Sequence, residues 1–69
     1  MKPKKYPPMT NLQWLRIRAA MTQSDLAKIV GVSYVQISNY ETGRARPRPR
    51  MLKRLARALQ VTIEDLEEN

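Results

Sequence analysis

Residues 22–43, "TQSDLAKIVGVSYVQISNYETG", predict two short helices separated by a tight turn. Thr22, with Asp25 three residues later, has the pattern of a capping box and marks the start of the first helix. Gly31 marks its end, since helices commonly finish on a residue with left-handed backbone geometry. The apolar side of this helix consists of Leu26, Ala27 and Val30. A helix of about eight residues is not stable alone, so this one must pack against the rest of the chain.

The second helix of the stretch turns a polar surface outward. Ser33 and Gln36 match a further capping box, and Gly43 is the stop signal. Helical spacing puts Ile37 and Tyr40 on the inner side. The outer side is small or polar and consists of Val35, Ser38, Asn39 and Thr42. This order of helix, glycine turn and helix is the pattern of a helix-turn-helix, whose second helix can enter the major groove of DNA.

The flanking sequence predicts three more helices and no strand. Residues 10–21 begin with Thr10 as N-cap and carry a predicted core stripe of Leu12, Leu15 and Ala19. Pro49 suits the first turn of a later helix, whose core stripe consists of Leu52, Leu55, Ala56 and Leu59. Thr62 and Asp65 form a capping pair for a short last helix. We therefore expect an all-α fold, a compact bundle of five short helices.

Composition excludes several functional classes. The chain has no cysteine and no histidine, which removes disulfides and the usual soft metal ligands, and it offers no convergent carboxylate pair or phosphate-binding glycine loop. We therefore expect no enzyme activity, no metal, no cofactor and no small-molecule ligand. Without cysteines, a signal peptide or an apolar run long enough to span a membrane, the chain is expected to be cytoplasmic.

Charge indicates a polyanionic partner. The formal net charge is +7, and four of the six acidic residues lie in the last six positions, so residues 1–63 hold thirteen basic residues against two acidic ones, a net +11. Such a field attracts nucleic acid first and an anionic membrane surface second. Residues 1–9 contain Lys2, Lys4 and Lys5 with three prolines and predict a flexible basic arm, which either follows a DNA groove or is a solubilising tail or cloning remnant. Residues 10–69 are the predicted DNA-binding domain.

The sequence resembles the phage repressor and Cro-like (XRE-type) helix-turn-helix family. The resemblance lies in "TQ-x-x-LA" from Thr22, "GVS" at the turn, "IS-x-x-E-x-G" from Ile37 and "L-x-x-LA-x-AL" from Leu52, and it extends over roughly residues 12–66. It implies a lambda-repressor-like DNA-binding domain. The chain departs from the family pattern at Ala20 and Gln60, where glycine is usual, and Gln60 is expected to adopt left-handed geometry at some cost.

The resemblance also implies roles for individual residues. The implied base contacts are Tyr34, Val35 and Asn39, with Ser33 and Gln36 as secondary candidates. The resemblance implies that Gln23 contacts a phosphate and braces the third helix. The other implied phosphate contacts form a backbone-contacting loop, namely Thr42, Arg44, Arg46, Arg48 and Arg50. Arg16 and Glu41 match a pair that ties the first helix to the end of the third.

Each of these residues also has a purely structural interpretation. Ser33 and Gln36 can serve only as helix caps, Tyr34 can cover the first helical turn, and Arg16 and Glu41 can be two solvated charges. Asn39 has no capping duty and suits adenine, whereas Val35 suits a thymine methyl group.

The stretch "GRARPRPR", residues 43–50, is interpreted as a phosphate clamp. A disordered tail is not expected between two capped helices of one core, and a PxxP ligand needs a chain free to dock elsewhere. Because alternate residues of an extended segment point to opposite sides, two or three of the four arginines are expected to matter.

The sequence as a whole predicts a transcriptional regulator that binds specific double-stranded DNA. A repressor acting as a homodimer on a pseudo-palindromic operator is favoured, with the dimer formed in solution or only on DNA through surfaces near Met51 and residues 63–66. A DNA-binding antitoxin is the alternative. A cationic peptide on membranes is a third hypothesis, but the several capped helices favour a prefolded bundle.

Overall fold

The computed structural model describes residues 10–67, which form five helices and no strand within that range. The helices are α1 (Asn11–Arg18), α2 (Gln23–Val30), α3 (Tyr34–Thr42), α4 (Pro49–Leu59) and α5 (Ile63–Leu66). The prediction of an all-α bundle of five short helices is confirmed. The basic arm predicted for residues 1–9 lies outside the described residues.

Four of the five helices begin with a side-chain cap. The residues before α1, α2, α3 and α5 are extended, and each hydroxyl accepts a hydrogen bond from the backbone N–H three residues later: Thr10, Thr22, Ser33 and Thr62. These bonds satisfy donors that have no partner inside the helix. The helix ends are therefore fixed by local chemistry that can be recognised in the sequence.

Two of the three predicted capping boxes are complete. The carboxylates of Asp25 and Asp65 each accept a hydrogen bond from the N-cap backbone N–H, at 2.9 and 3.0 Å. Gln36 only donates its backbone N–H to the Ser33 hydroxyl, at 3.2 Å, and within residues 10–67 its side chain makes no return bond. The prediction of a complete box at α3 is therefore wrong. A neutral amide gains less from this contact than a carboxylate does, because charge-assisted hydrogen bonds are stronger.

The core lies between the helices, and each of the five contributes at least one buried apolar side chain. Leu26, Ile37 and Leu55, one each from α2, α3 and α4, are the wholly buried large side chains. The surrounding buried apolar residues are Leu12, Leu15, Ala27, Val30, Ala56, Leu59 and Leu66. Leu52 is only partly buried against this core. Most of the predicted core stripes therefore do pack inward.

Ala19 is a correction to the predicted stripe of α1. It is exposed and is the C-cap of α1, because the helix ends at Arg18. Arg16 is buried in that part of α1 instead. The predicted stripe extended too far because the helix ends one residue before Ala19.

The turns after α1 and α4 contain the two left-handed residues that are not glycine. Ala20 has φ +60° and Gln60 has φ +58°. The glycines that end α2 and α3 have the same geometry, with φ +82° at Gly31 and +81° at Gly43. The expected left-handed geometry of Gln60 is confirmed, and of the four left-handed residues within residues 10–67 only two are glycine.

The helices are arranged so that α3 keeps one side free. Its inner side packs against α1 and α2, while α4 packs against α2 and α5. Ile37 and Tyr40 of α3 face the core, as predicted. The opposite side of α3 is consequently open to solvent. Within residues 10–67, no helix has the length and apolar character needed to cross a membrane.

Candidate nucleic-acid interface

The turn between α2 and α3 sets the position of α3. The backbone N–H groups of Gly31 and Val32 both donate to the carbonyl of Ala27, at 2.8 and 3.0 Å. Val32 packs against the core, and the Ser33 hydroxyl then caps α3. A three-residue turn with both ends bonded holds the two helices as one unit, so the outer face of α3 is presented in a fixed orientation.

The outer face of α3 contains two large exposed side chains at its start. Tyr34 is 57% exposed and Val35 is 51% exposed, while Asn39 is partly exposed one turn further along. Two exposed hydrophobic groups next to each other are unusual for a helix that is otherwise polar on this side, and they have no packing duty in the described structure. The structure therefore brings the three predicted principal base-contact residues to one surface.

The two secondary candidates differ in what their side chains have left to offer. The Ser33 hydroxyl is used as the cap of α3, at 3.2 Å from the Gln36 backbone nitrogen. The Gln36 side chain is half-buried and, in the described part of the chain, forms no hydrogen bond. The Ser33 hydroxyl is only the acceptor in the cap bond, so it keeps one hydrogen to donate. Both side chains can therefore bond a ligand.

Arg16 and Glu41 form a buried ion pair beneath α3. The Arg16 Nε donates to Glu41 Oε2, and Arg16 Nη2 donates to Oε1 at 3.1 Å, so the guanidinium grips the carboxylate with two bonds. Both residues are more than nine-tenths buried. The alternative interpretation, in which Arg16 and Glu41 are two solvated surface charges, is therefore wrong. The pair joins α1 to the end of α3.

Two further bonds extend the pair toward the start of α2, and the bond to the Met21 carbonyl was not predicted. Arg16 Nη1 donates to the carbonyl of Met21 at 2.8 Å, and Gln23 Nε2 donates to Glu41 Oε1 at 3.0 Å. An amide nitrogen has two hydrogens, so Gln23 keeps one for an external acceptor. Gln23, the first residue of α2, is therefore held in place by Glu41, which also anchors the end of α3.

Thr42 lies where helical spacing predicted and not where the resemblance implied. It is the last residue of α3 and not part of the following loop. Its hydroxyl donates to the carbonyl of Ser38 at 3.0 Å, within the helix. A phosphate oxygen accepts hydrogen bonds, so Thr42 can donate to a phosphate only if its hydroxyl gives up the bond to the Ser38 carbonyl.

The arginine segment, residues 44–50, follows α3 and leads into α4. The backbone N–H of Ala45 donates to the Asn39 carbonyl at 3.2 Å, which fixes the segment against the end of α3. All four arginines are exposed: Arg44, Arg46, Arg48 and Arg50. Because α4 begins at Pro49, Arg50 lies in the first helical turn and not in a loop, which corrects the predicted extent of the loop.

The start of α4 is an electropositive helix end. Arg48 is the N-cap and makes no side-chain cap bond, and no acidic residue lies in the first turn. Backbone N–H groups at a helix start carry partial positive charge, and arginines placed there add to it. A helix start with cations in place of acids is poorly arranged for helix stability and well arranged for binding an anion.

The described residues contain no cluster of three or more acidic, histidine or cysteine side chains that could hold a metal ion.

Comparison with known proteins gives consistent matches. A family model described as "Helix-turn-helix" matches residues 12–66. The chain is 39% identical over 57 residues to an uncharacterised HTH-type transcriptional regulator from Archaeoglobus fulgidus, covering 83% of this chain and 81% of that protein.

Two solved structures of the P22 c2 repressor are similar to this fold. One is a crystal structure in complex with synthetic operator 9T, with a TM-score of 0.78, 33% identity and coverage of 83% of this chain and 86% of that chain. The other is a solution structure of the DNA-binding domain, with a TM-score of 0.76, 31% identity and coverage of 86% and 84%. The resemblance to a lambda-repressor-like domain of the XRE type is thereby confirmed.

Proposed function

The chain belongs to the helix-turn-helix family, and we propose that it represses transcription by occupying a specific operator. It is a DNA-binding transcriptional regulator and not an enzyme. The observation that carries this proposal is the outer face of α3, with Tyr34 and Val35 exposed beside Asn39. It is supported by the similarity to a repressor crystallised with operator DNA.

In this proposal the outer face of α3 reads base edges in the major groove. The amide of Asn39 pairs with N6 and N7 of an adenine, and the methyl groups of Val35 contact a thymine methyl. The free amide of Gln36 is an additional reader near the start of the helix. Tyr34 lies at the edge of this face, where its ring covers the sugar and its hydroxyl reaches a phosphate.

Phosphate contacts on either side of α3 fix its register. Gln23 donates its second amide hydrogen to one phosphate, while its first remains on Glu41. The arginine segment contacts the backbone on the other side, with Arg48 and Arg50 next to the open N–H groups of α4. Thr42 is the weakest candidate because its hydroxyl is already bonded.

A homodimer on a pseudo-palindrome completes the proposal. One nine-residue helix reads only a few base pairs, so useful selectivity needs two copies with half-site centres about one helical turn apart. The candidate dimer surfaces are Met51 and residues 63–66, where Met51 and Ile63 are only partly buried. Occupation of such a site excludes the transcription machinery by steric occlusion.

The proposal is tested by selecting bound duplexes from a random library at about 50 and 200 mM salt, where 6–10 phosphate contacts change affinity roughly 10³–10⁵-fold. A two-fold symmetric motif that survives the higher salt is expected. Asn39→Ala should remove the preference at one base position of each half-site, whereas Gln13→Ala on α1 should leave the motif unchanged. Salt-sensitive binding without any motif would contradict sequence-specific repression, and the antitoxin alternative would then be favoured.

A further inference from the structure

The outer face of α3 has an apolar group and a hydrogen-bonding group one helical turn apart. Val35 is a branched apolar side chain that is 51% exposed, and Asn39 is a partly exposed amide four residues later. Residues with this spacing share one face of a helix and lie about 6 Å apart along its axis. Base pairs of DNA are about 3.4 Å apart, so in the proposed function the two side chains read positions within about two base pairs of each other.

The Asn39 amide is free to bond a base, while its backbone is held. Within residues 10–67 the Asn39 side chain forms no hydrogen bond. Its backbone carbonyl accepts from the Ala45 N–H at 3.2 Å and from the Thr42 hydroxyl at 3.4 Å. The amide is therefore available to a ligand from a backbone position that is fixed against the segment after α3.

The whole of α3 is anchored at a fixed depth in the fold. The Ser33 hydroxyl caps its start, and Arg16 grips Glu41 near its end in the buried ion pair. Between these points Ile37 is wholly buried in the core. Moving α3 inward by the width of a methyl group would overpack that core. A bulkier base therefore cannot be accommodated by a retreat of the helix.

Adenine presents a hydrogen to Asn39 that one methyl group can remove. The N6 nitrogen has two hydrogens, of which one pairs with thymine and the other points into the major groove beside N7. In the proposed function the Asn39 carbonyl oxygen accepts this second hydrogen, and the amide donates to N7. A methyl group on N6 replaces that hydrogen as long as the base pair is kept. The amide oxygen then faces a methyl group without a donor, which costs free energy.

We propose that methylation of adenine N6 in the operator excludes this protein, through Asn39. The inference rests on the proposed function and adds a regulator to it. The regulator is an enzyme of the DNA adenine-N6 methyltransferase class, which modifies the operator and not the protein. An unmethylated operator is occupied and silent, and a methylated operator is open to the transcription machinery.

Val35 gives the opposite response to a methyl group and so provides an internal comparison. Thymine has a C5 methyl group in the major groove, and uracil is the same base without it. Val35 has no packing duty in the described structure, so its own methyl groups are free to contact the base. Burial of one methyl group changes affinity about fourfold. A methyl group is thus favourable opposite Val35 and unfavourable opposite Asn39.

The test uses the full chain and the operator obtained by selection. The adenine to be modified is at the position whose preference is lost in Asn39→Ala. Fluorescence anisotropy compares the unmethylated duplex, a duplex with N6-methyladenine at this position, and a duplex with N6-methyladenine outside the selected motif. Methylation of the adenine that is read should weaken binding about 5- to 150-fold for each half-site, the range for one lost bidentate base contact. Methylation outside the motif should have no effect.

Variants assign the effect to one side chain. Asn39→Ala should bind the methylated and unmethylated operators equally. Val35→Ala should keep the response to N6-methyladenine and should lose the roughly fourfold difference between thymine and uracil at its own position. Gln13→Ala on α1 is the control and should keep both responses. Circular dichroism confirms that each variant is folded.

Three outcomes would overturn the inference and leave operator recognition standing. The first is a base other than adenine at the position that Asn39 reads. The second is equal affinity of the unaltered protein for the methylated and unmethylated operators. The third is a methylation effect that persists in Asn39→Ala, since the effect then arises from the duplex itself. Absence of any selected motif is instead a failure of the proposed function, and the inference fails with it.

Discussion

Two residues of the chain occupy backbone geometry that suits glycine better. Ala20 and Gln60 lie in the left-handed region, at the turns after α1 and α4. A side chain with a Cβ costs roughly 1–2 kcal/mol in that region, whereas glycine costs roughly 0.5–1 kcal/mol more in chain entropy. Ala20→Gly and Gln60→Gly are therefore expected to raise the free energy of unfolding by up to about 1 kcal/mol each, measured by urea denaturation.

Gly31 provides the opposite comparison. A Cβ added there would meet nothing within 4 Å, so Gly31→Ala tests backbone geometry without a steric clash. We expect it to lower the free energy of unfolding by roughly 1 kcal/mol. Equal stability of Gly31→Ala and the unaltered protein would show that the left-handed turns carry no strain, and the gains expected at Ala20 and Gln60 would then be absent too.

The buried pair of Arg16 and Glu41 is the residue-scale feature on which stability depends most. Removing one partner leaves an unpaired buried charge, which costs about 3–5 kcal/mol. A domain of this size is stable by roughly 3–10 kcal/mol in total. Arg16→Ala and Glu41→Ala are therefore expected to be largely unfolded at 37 °C by circular dichroism.

A double replacement separates the charge effect from packing. Arg16→Met with Glu41→Leu removes both charges and is expected to be more stable than either single alanine variant, since no charge is left unpaired. Gln23 and the Met21 carbonyl then lose a partner at a site nearer the surface, so some cost remains. Strictly additive effects would contradict the view that the two residues act as one unit.

At the scale of the helices, most boundaries were predictable because they depend on near neighbours in the chain. Thr22 with Asp25, and Gly31 at the other end of α2, are local signals, and α2 runs between them. Ala19 and the missing return bond of Gln36 were not predictable in the same way. The first depends on where α1 ends, which no glycine marks because Ala20 takes the left-handed position, and the second on the relative strength of an amide and a carboxylate as acceptors.

The candidate site shows the same division. That Val35 and Asn39 share an outer face followed from helical spacing, whereas the role of Tyr34 beside them followed from the family resemblance. The bond from Arg16 to the Met21 carbonyl, and the bond within α3 that occupies the Thr42 hydroxyl, required the packed structure. Sequence spacing identifies a face, whereas contacts between helices decide which side chains on it are free.

The capping box of α2 predicts a dependence of stability on pH. Hydrogen bonds from the Thr22 backbone and hydroxyl, opposed slightly by burial, hold the pKa of Asp25 below its ordinary value of 3.8. A carboxyl whose pKa is lower in the folded state stabilises the fold above the unfolded pKa, and the contribution disappears as pH falls through the folded pKa. The melting temperature should therefore decrease as the pH is lowered below about 4.

Asp25→Asn isolates this contribution. The variant should be less stable than the unaltered protein at pH 6 and should lose less stability between pH 5 and pH 2.5. Thr22→Ala should cost about 1 kcal/mol at pH 6, the usual value of an N-cap. If the melting temperatures of Asp25→Asn and the unaltered protein decrease by the same amount between pH 5 and pH 2.5, this capping box does not contribute to acid unfolding.

At the scale of the whole molecule, charge distribution predicts how DNA binding responds to salt. The logarithm of affinity falls with the logarithm of salt concentration by about 0.9 for each phosphate contact in duplex DNA. Alanine replacement of Arg44, Arg46, Arg48 and Arg50, one at a time, should reduce that slope by about one unit at two or three of the four positions. Fluorescence anisotropy of a labelled operator measures it.

Arg18→Ala serves as the comparison for these variants, because Arg18 is an exposed arginine that lies over the Trp14 ring on α1, with 5.2 Å between the guanidinium carbon and the ring centre. The slope of log affinity against log salt concentration for Arg18→Ala should match that of the unaltered protein. If all four arginine replacements also leave the slope unchanged, residues 44–50 do not contact the backbone, and the clamp interpretation of this segment is wrong.

The buried pair under α3 has a consequence for how such a regulator diverges over generations. Tyr34 and Val35 are exposed and Asn39 is partly exposed, so each can be exchanged singly without loss of folding, and under the proposed function exchanges at Val35 and Asn39 alter the DNA that is read. Arg16 and Glu41 cannot be exchanged singly, because each intermediate carries an unpaired buried charge. Duplicated copies of this gene can therefore drift apart step by step in target choice while inheriting the same ion pair, and new regulatory circuits arise without a new fold.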